Sequence, residues 1–145
     1  MATINTAVVT ALASSIQRKN AYRGNVQYIP IEITSDVADG THSVNFTEVL
    51  PPNTELLAIQ IEHSAIAGTT KTLDIGYTGD ADAIIDGAAL TSAGCIAYPE
   101  TIAANVPTAG LGAPIAVGGK AIIGTLTGQL SSDTIYGYIL IATDE

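Results

Sequence analysis

The chain has 145 residues, enough for one domain with a sizeable core. Cys95 is its single cysteine, which excludes an intrachain disulfide framework, and no window of about eighteen apolar residues exists to cross a membrane. A net charge of −9 argues against nucleic acid as the main partner, because phosphate contacts need clustered Lys and Arg.

The remaining composition points to an all-β chain. Fourteen Gly, six Pro and an Ala, Ile and Thr-rich apolar fraction fit many short strands and tight turns better than a helical bundle. Only 13% of residues are charged. Two explanations stay open: part of the surface is covered by something else, or the surface is built from Thr, Ser, Asn and Gly.

Residues 1–25 read as an N-terminal arm and residues 26–145 as a β-sandwich domain. The arm holds Arg18, Lys19 and Arg23, three of the five basic residues, and no acid precedes Glu32. A basic arm on an acidic body suits docking onto an acidic or mixed surface. Residues 7–16, AVVTALASSI, fit a short helix or an extended strand equally. The N-terminus lacks a positive leading region and its basic residues follow the apolar stretch, so a secretory signal is not expected.

Residues 26–34 alternate, with Ile29, Ile31 and Ile33 on one face and Tyr28, Glu32 and Thr34 on the other. Pro30 inside the run marks an edge strand or a bulge. Asp39-Gly40 is expected to turn the chain, and residues 41–49 to resume as a strand with Val44 and Phe46 inward. After Pro51-Pro52-Asn53, the alternation of Leu57, Ile59, Ile61 and His63 predicts a strand. A turn over residues 67–70 then leads to a return strand with Leu73, Ile75 and Tyr77 on one face. The two are expected to pair as an antiparallel hairpin with one dry face. Residues 79–94 read as an acidic loop or short helical turn, and residues 95–98 as a short strand. Residues 100–119 read as a long small-residue excursion with a brief strand at 114–117.

Residues 120–127 form a further strand. Ser131-Ser132-Asp133 turns, and residues 134–143 close the chain. In this last strand both faces are apolar: Ile135, Ile139 and Ile141 on one, Tyr136, Tyr138 and Leu140 on the other. A strand dry on both sides is central in a sandwich or lies at a subunit interface. About eight strands and no clear helix indicate a two-sheet sandwich, a jelly roll first and an immunoglobulin-like sandwich second. The latter's paired Cys and Trp are missing.

Catalytic and metal-binding patterns are weak. His42 and His63 are expected to be structural. Cys95 sits among small apolar residues and reads as a buried thiol. No G-x-S-x-G elbow or phosphate-cradling loop is present, and two His and one Cys scattered at 42, 63 and 95 do not form a zinc pattern. Asp74, Asp80, Asp82 and Asp86 are close enough to raise calcium binding, but their spacing breaks the EF-hand pattern, and a solvated acidic loop is the expected reading. No cofactor and no enzymatic activity are therefore expected, leaving a structural or binding protein.

The PPNTELL entry at 51–57, the LDIGYTGDADAIIDG run at 73–87 and the small-residue excursion at 103–119 resemble the capsid decoration, or cement, proteins of tailed bacteriophages, short-tailed ones in particular. That resemblance implies a jelly roll assembled in the host cytoplasm onto the outside of an icosahedral shell. It would form homodimers or homotrimers and tie neighbouring major capsid protein subunits together. On that reading Arg18, Lys19 and Arg23 dock to the capsid, and Tyr136, Tyr138 and Leu140 form the oligomer interface. The alternatives are a carbohydrate-binding or host-attachment module, which requires exposed aromatics, and another head-fibre or tail component.

Overall fold

In the computed structural model, residues 2–5, 25–98 and 115–143 are described. They form ten strands and no helix: β1 (Thr3–Asn5), β2 (Asn25–Ile33), β3 (Val37–Asn45), β4 (Thr54–His63), β5 (Ala67–Tyr77), β6 (Asp80–Ala89), β7 (Gly94–Tyr98), β8 (Ile115–Ala116), β9 (Ile122–Leu130) and β10 (Ile135–Thr143).

The pairing is nested. β2 pairs with β10, β3 with β9, β4 with β7 and β5 with β6, all antiparallel. β10 also pairs with β4, and β9 with β5. The result is two sheets, β2-β10-β4-β7 and β3-β9-β5-β6, with β1 added in parallel on the outer edge of β3 and β8 beside β4. A long antiparallel hairpin rolled into two sheets in this way is a jelly roll. Seven of its eight principal strands are among those expected from the sequence; the eighth expected strand, at 114–117, is the short β8, and β6 takes the remaining principal place. β2 lies on a sheet edge, where Pro30 is tolerated because no neighbour needs its missing N–H.

The core is what the alternation dictates. Ile29, Ile31 and Ile33 of β2, Ile59 and Ile61 of β4, and Ile135, Ile139 and Ile141 of β10 are buried from one sheet. They meet Val44, Leu73, Ile75, Ile84, Ile122 and Leu126 from the other, with Phe46 just beyond the end of β3. Phe46, the one Phe of the chain, has no exposed surface. It lies over Gly124 of β9: a β-carbon built there would sit 2.9 Å from the Phe46 ring and against the Asp74 carbonyl oxygen. Glycine at 124 is therefore a packing requirement.

Four sequence expectations are corrected. First, β4 and β5 are not a hairpin. Ser64-Ala65-Ile66 carries the chain across the core from one sheet to the other, held by Ser64 N–H to Thr134 O at 3.0 Å and Ile66 N–H to Leu90 O at 3.1 Å. Alternation reports which face of a strand is dry, and two dry faces can meet across a sandwich as well as side by side.

Second, residues 80–89 are not a loop but strand β6, joined to β5 by the two-residue turn Thr78-Gly79, with Gly79 at φ 99°. Bulges in the β5–β6 ladder bury both Ile84 and Ile85, which hides the period of two. Third, Asp39-Gly40 lies inside β3, where the register with β9 shifts between Val37 and Gly40. Asp39 instead accepts from the Thr69 N–H at 3.2 Å and the Thr69 hydroxyl at 3.1 Å. Fourth, Leu56 and not Leu57 enters the core. β10 passes from Ala58 directly to Leu56, leaving Leu57 as the extra residue of a bulge.

Gly124→Ala is expected to lower unfolding stability by at least about 2 kcal/mol, an overpacking penalty where neither backbone nor ring can retreat, measured by urea denaturation.

Candidate functional site

The outward residues of β2, β10 and β4 form one surface, set by register. Tyr136 stands opposite Glu32 and Glu62, Tyr138 opposite Pro30 and Gln60, and Leu140 opposite Tyr28 and Ala58. Sequence alone put Tyr136, Tyr138 and Leu140 together, and the structure does place them on one face. It adds Val26, Tyr28, Pro30 and Gln60, which come from strands far away in sequence. Tyr28 was legible as outward from its alternation with Ile29, but its neighbours depend on register.

The Tyr28 and Tyr138 rings are stacked, with centroids 5.2 Å apart and planes 28° apart. Their positions are diagonal across the β2–β10 pair, within reach for aromatic side chains. The Tyr138 hydroxyl donates to Gln60 Oε1 at 2.9 Å. The Tyr136 hydroxyl donates to Glu62, and that hydrogen bond first, then the negative charge of Glu62, raises the phenol above its ordinary pKa. Both tyrosines on β10 are thus held by side chains of β4. Tyr28 is 62% exposed, Val26 54% and Tyr136 50%, so three of the four large exposed hydrophobics among the described residues share this face. The fourth, Val49, lies in the β3–β4 connection.

The opposite outer face has a different chemistry. Thr41, Thr127 and Thr72 align across β3, β9 and β5, and Ser43, Thr125 and Asp74 form the next row. The two outer faces thus differ: one is apolar and aromatic, the other hydroxylated.

The remaining candidates separate. Cys95 is exposed, which corrects its expected burial. It lies on short strand β7 opposite Glu62, on the outward face, whereas His63 lies opposite Gly94 on the inward row. The two positions alternate in facing, yet His63 and Cys95 both line an open depression of about 550 Å³ at this corner, together with Glu62, Ser64 and Tyr136. His63 Nδ1 is 3.0 Å from the Ser64 carbonyl oxygen, to which it donates as Nδ1–H. His42 is buried with Nε2 2.8 Å from the Ala38 carbonyl oxygen, so that nitrogen carries the proton; its Nδ1 has no partner. Both are held by backbone carbonyls, as structural histidines are.

The acidic residues lie on the β5–β6 hairpin. Asp74 accepts from the Gly87 N–H at 2.6 Å, yet its pKa is raised, first by burial and then by Asp86 and Asp82. Asp80 is raised by sharing a hydrogen bond with Asp82. Among the described residues no three His, Cys, Asp or Glu side chains converge on a metal position. Arg18, Lys19 and Arg23 lie outside the described residues, as do the segment 7–16 and most of the 100–119 excursion.

No protein-family profile and no curated protein matches the chain. Among solved structures it is similar to a chain of the capsid of Ralstonia phage GP4, with a TM-score of 0.62 and 15% identity over 99% of this chain and 98% of that one. It is also similar to a chain of the cyanophage Pam1 capsid asymmetric unit, with a TM-score of 0.53 and 16% identity over 92% and 95%. At such identity the likeness is one of fold, and it runs nearly end to end in both cases.

The raised Asp74 gives a signed pH prediction. The folded chain holds this proton more tightly than the unfolded one, so the stabilising contribution is complete below the ordinary value of 3.8 and is lost as pH rises through the raised pKa. Ionised Asp74 is a cost at pH 7. Asp74→Asn, whose amide oxygen still accepts from Gly87, is expected to raise Tm at pH 7 and to leave it unchanged below about pH 3.5, read by calorimetry across that range.

Proposed function

We propose that this chain is a structural virion protein that binds the outside of an icosahedral phage capsid, ties neighbouring major capsid subunits together and so stabilises the head. The observation that carries this reading is the nearly end-to-end likeness to chains of two phage capsids. The aromatic face adds to it. A contiguous exposed apolar surface on a small protein is a contact surface, and Tyr138, stacked on Tyr28 and held by Gln60, and Tyr136, held by Glu62, lose little side-chain entropy when covered. Tyr136, Tyr138 and Leu140, with Tyr28 beside them, form the self-association surface. Arg18, Lys19 and Arg23 supply the positive charge that docks the arm on the acidic shell. A protein that binds only the assembled shell stabilises it by linkage, and many copies multiply the effect.

The test uses shells assembled from the phage's own major capsid protein. Wild-type protein is expected to co-sediment with them and to raise the temperature at which they open. The triple reversal R18E/K19E/R23E is expected to abolish co-sedimentation at moderate salt while leaving the circular dichroism spectrum unchanged. Unchanged occupancy would remove the arm from the docking account. Light scattering is expected to give the mass of a dimer or trimer. Tyr138→Ser, which removes the stacked ring and its bond to Gln60, is expected to weaken that association by about 2 kcal/mol, roughly 30-fold.

The same face favours one second reading. A stacked tyrosine pair bordered by an amide and a carboxylate has the chemistry of a sugar-binding platform. Glycan-array binding that Tyr28→Ala abolishes, with no affinity for shells, would shift the assignment to a carbohydrate-binding host-attachment module.

A further inference from the structure

Strand β1 is attached in an unusual way. It is three residues long and runs parallel to β3 in a sheet otherwise antiparallel, with Thr3 opposite Ser43, Ile4 opposite Val44 and Asn5 opposite Asn45. Ser43 N–H donates to Ala2 O at 3.1 Å, and Ala2 and Thr3 are exposed. Parallel pairing is the weaker kind per residue, and three residues are a short ladder. Without β1, nine-residue β3 is a bare edge, with neither Pro nor Lys to block pairing.

The connection from β1 to β2 is far longer than its path requires. β1 ends beside Asn45, at the end of β3 from which the chain leads to Thr54. Thr54 pairs with Thr143, and Thr143 with Asn25, the first residue of β2. The end of β1 and the start of β2 therefore lie at the same end of the sandwich. Sheets pack about 10 Å apart and strands about 4.8 Å, so about six residues would close this gap. Nineteen residues, 6–24, join them. A chain of that length reaches about 60 Å.

We propose that the outer edge of β3 is a strand-acceptor site whose occupant in the assembled protein is Thr3–Asn5 of a second copy. The exchange conserves every backbone bond and the Ile4–Val44 register, so the two arrangements differ mainly in chain entropy. A copy already held nearby presents its strand at an effective concentration comparable with that of the chain's own strand on so long a tether. Exchanged reciprocally the contact closes a two-fold dimer; passed from one copy to the next it is heterologous and closes into a ring where the rotation between copies divides a full turn. The inference rests on the reading of the chain as an assembly protein. It deepens that reading by giving the copies a backbone staple, separate from the aromatic face.

The test is a cysteine trap. Thr3→Cys and Ser43→Cys are introduced on separate chains, one of them tagged, in a Cys95→Ser background that removes the native thiol. The two are co-refolded and oxidised. Exchange predicts a disulfide-linked heterodimer of one tagged and one untagged chain, and covalent multimers from the chain carrying both substitutions. A doubly substituted chain that closes only on itself, while light scattering shows an oligomer, would overturn the exchange. So would a monomeric mass. Shell co-sedimentation of the same internally bridged chain would leave the capsid reading standing, so the two failures are distinguishable.

Discussion

The double pairing of β10 is the constraint on which the rest of this structure depends. All nine of its residues are matched to β2 on one side, and its ladder with β4 on the other is broken only by the bulge at Leu57. Its inward row, Ile135, Ile139 and Ile141, is buried in the core, and its outward row carries Tyr136, Tyr138 and Leu140. Without it β2 would have no sheet to join and β4 would keep only β7 and β8. The core seam and the aromatic face are therefore two sides of one strand. Because that strand is nearly the last of the chain and pairs with nearly the first, the ordering entropy must be met before these contacts form, and folding should be slow for the size of the domain.

The surface follows from the same arrangement. Among the described residues the two outer faces differ: one carries hydroxyls with Asp74 in their row, the other tyrosines with Glu32 and Glu62 beside them. The hydroxylated face of Thr41, Thr72, Thr125 and Thr127 is at ease in water. The aromatic face exposes more apolar surface, with Tyr28 more than half exposed. Glu32 and Glu62 flank Tyr136, and among the described residues no Lys or Arg lies on this face.

Faces could be read from the sequence; neighbours could not. Ile29, Ile31 and Ile33 announced their burial, Phe46 its place at the core, and Pro30 its edge. Tyr136 and Tyr138 were recognisable as an outward pair. Tyr28, Val26 and Gln60 were not recognisable as their companions, because no local signal records that Leu140 meets Tyr28 on one side and Ala58 on the other. Cys95 was misread for a related reason: in a strand of small residues, nothing local says which face looks outward.

The period of two, the Pro and Gly punctuation and the scarcity of charge by themselves determined an all-β sandwich and the inward rows of β2 and β10. Those are properties of single strands, fixed by the alternation of side chains along an extended backbone. The tertiary structure alone decided that β4 and β5 face each other across the core instead of pairing, that residues 80–89 form a strand, and that three tyrosines from both ends of the chain share one surface. These are choices of partner and register. They are set by packing between segments distant in sequence, where a bulge of one residue, as at Leu57, exchanges the inside for the outside.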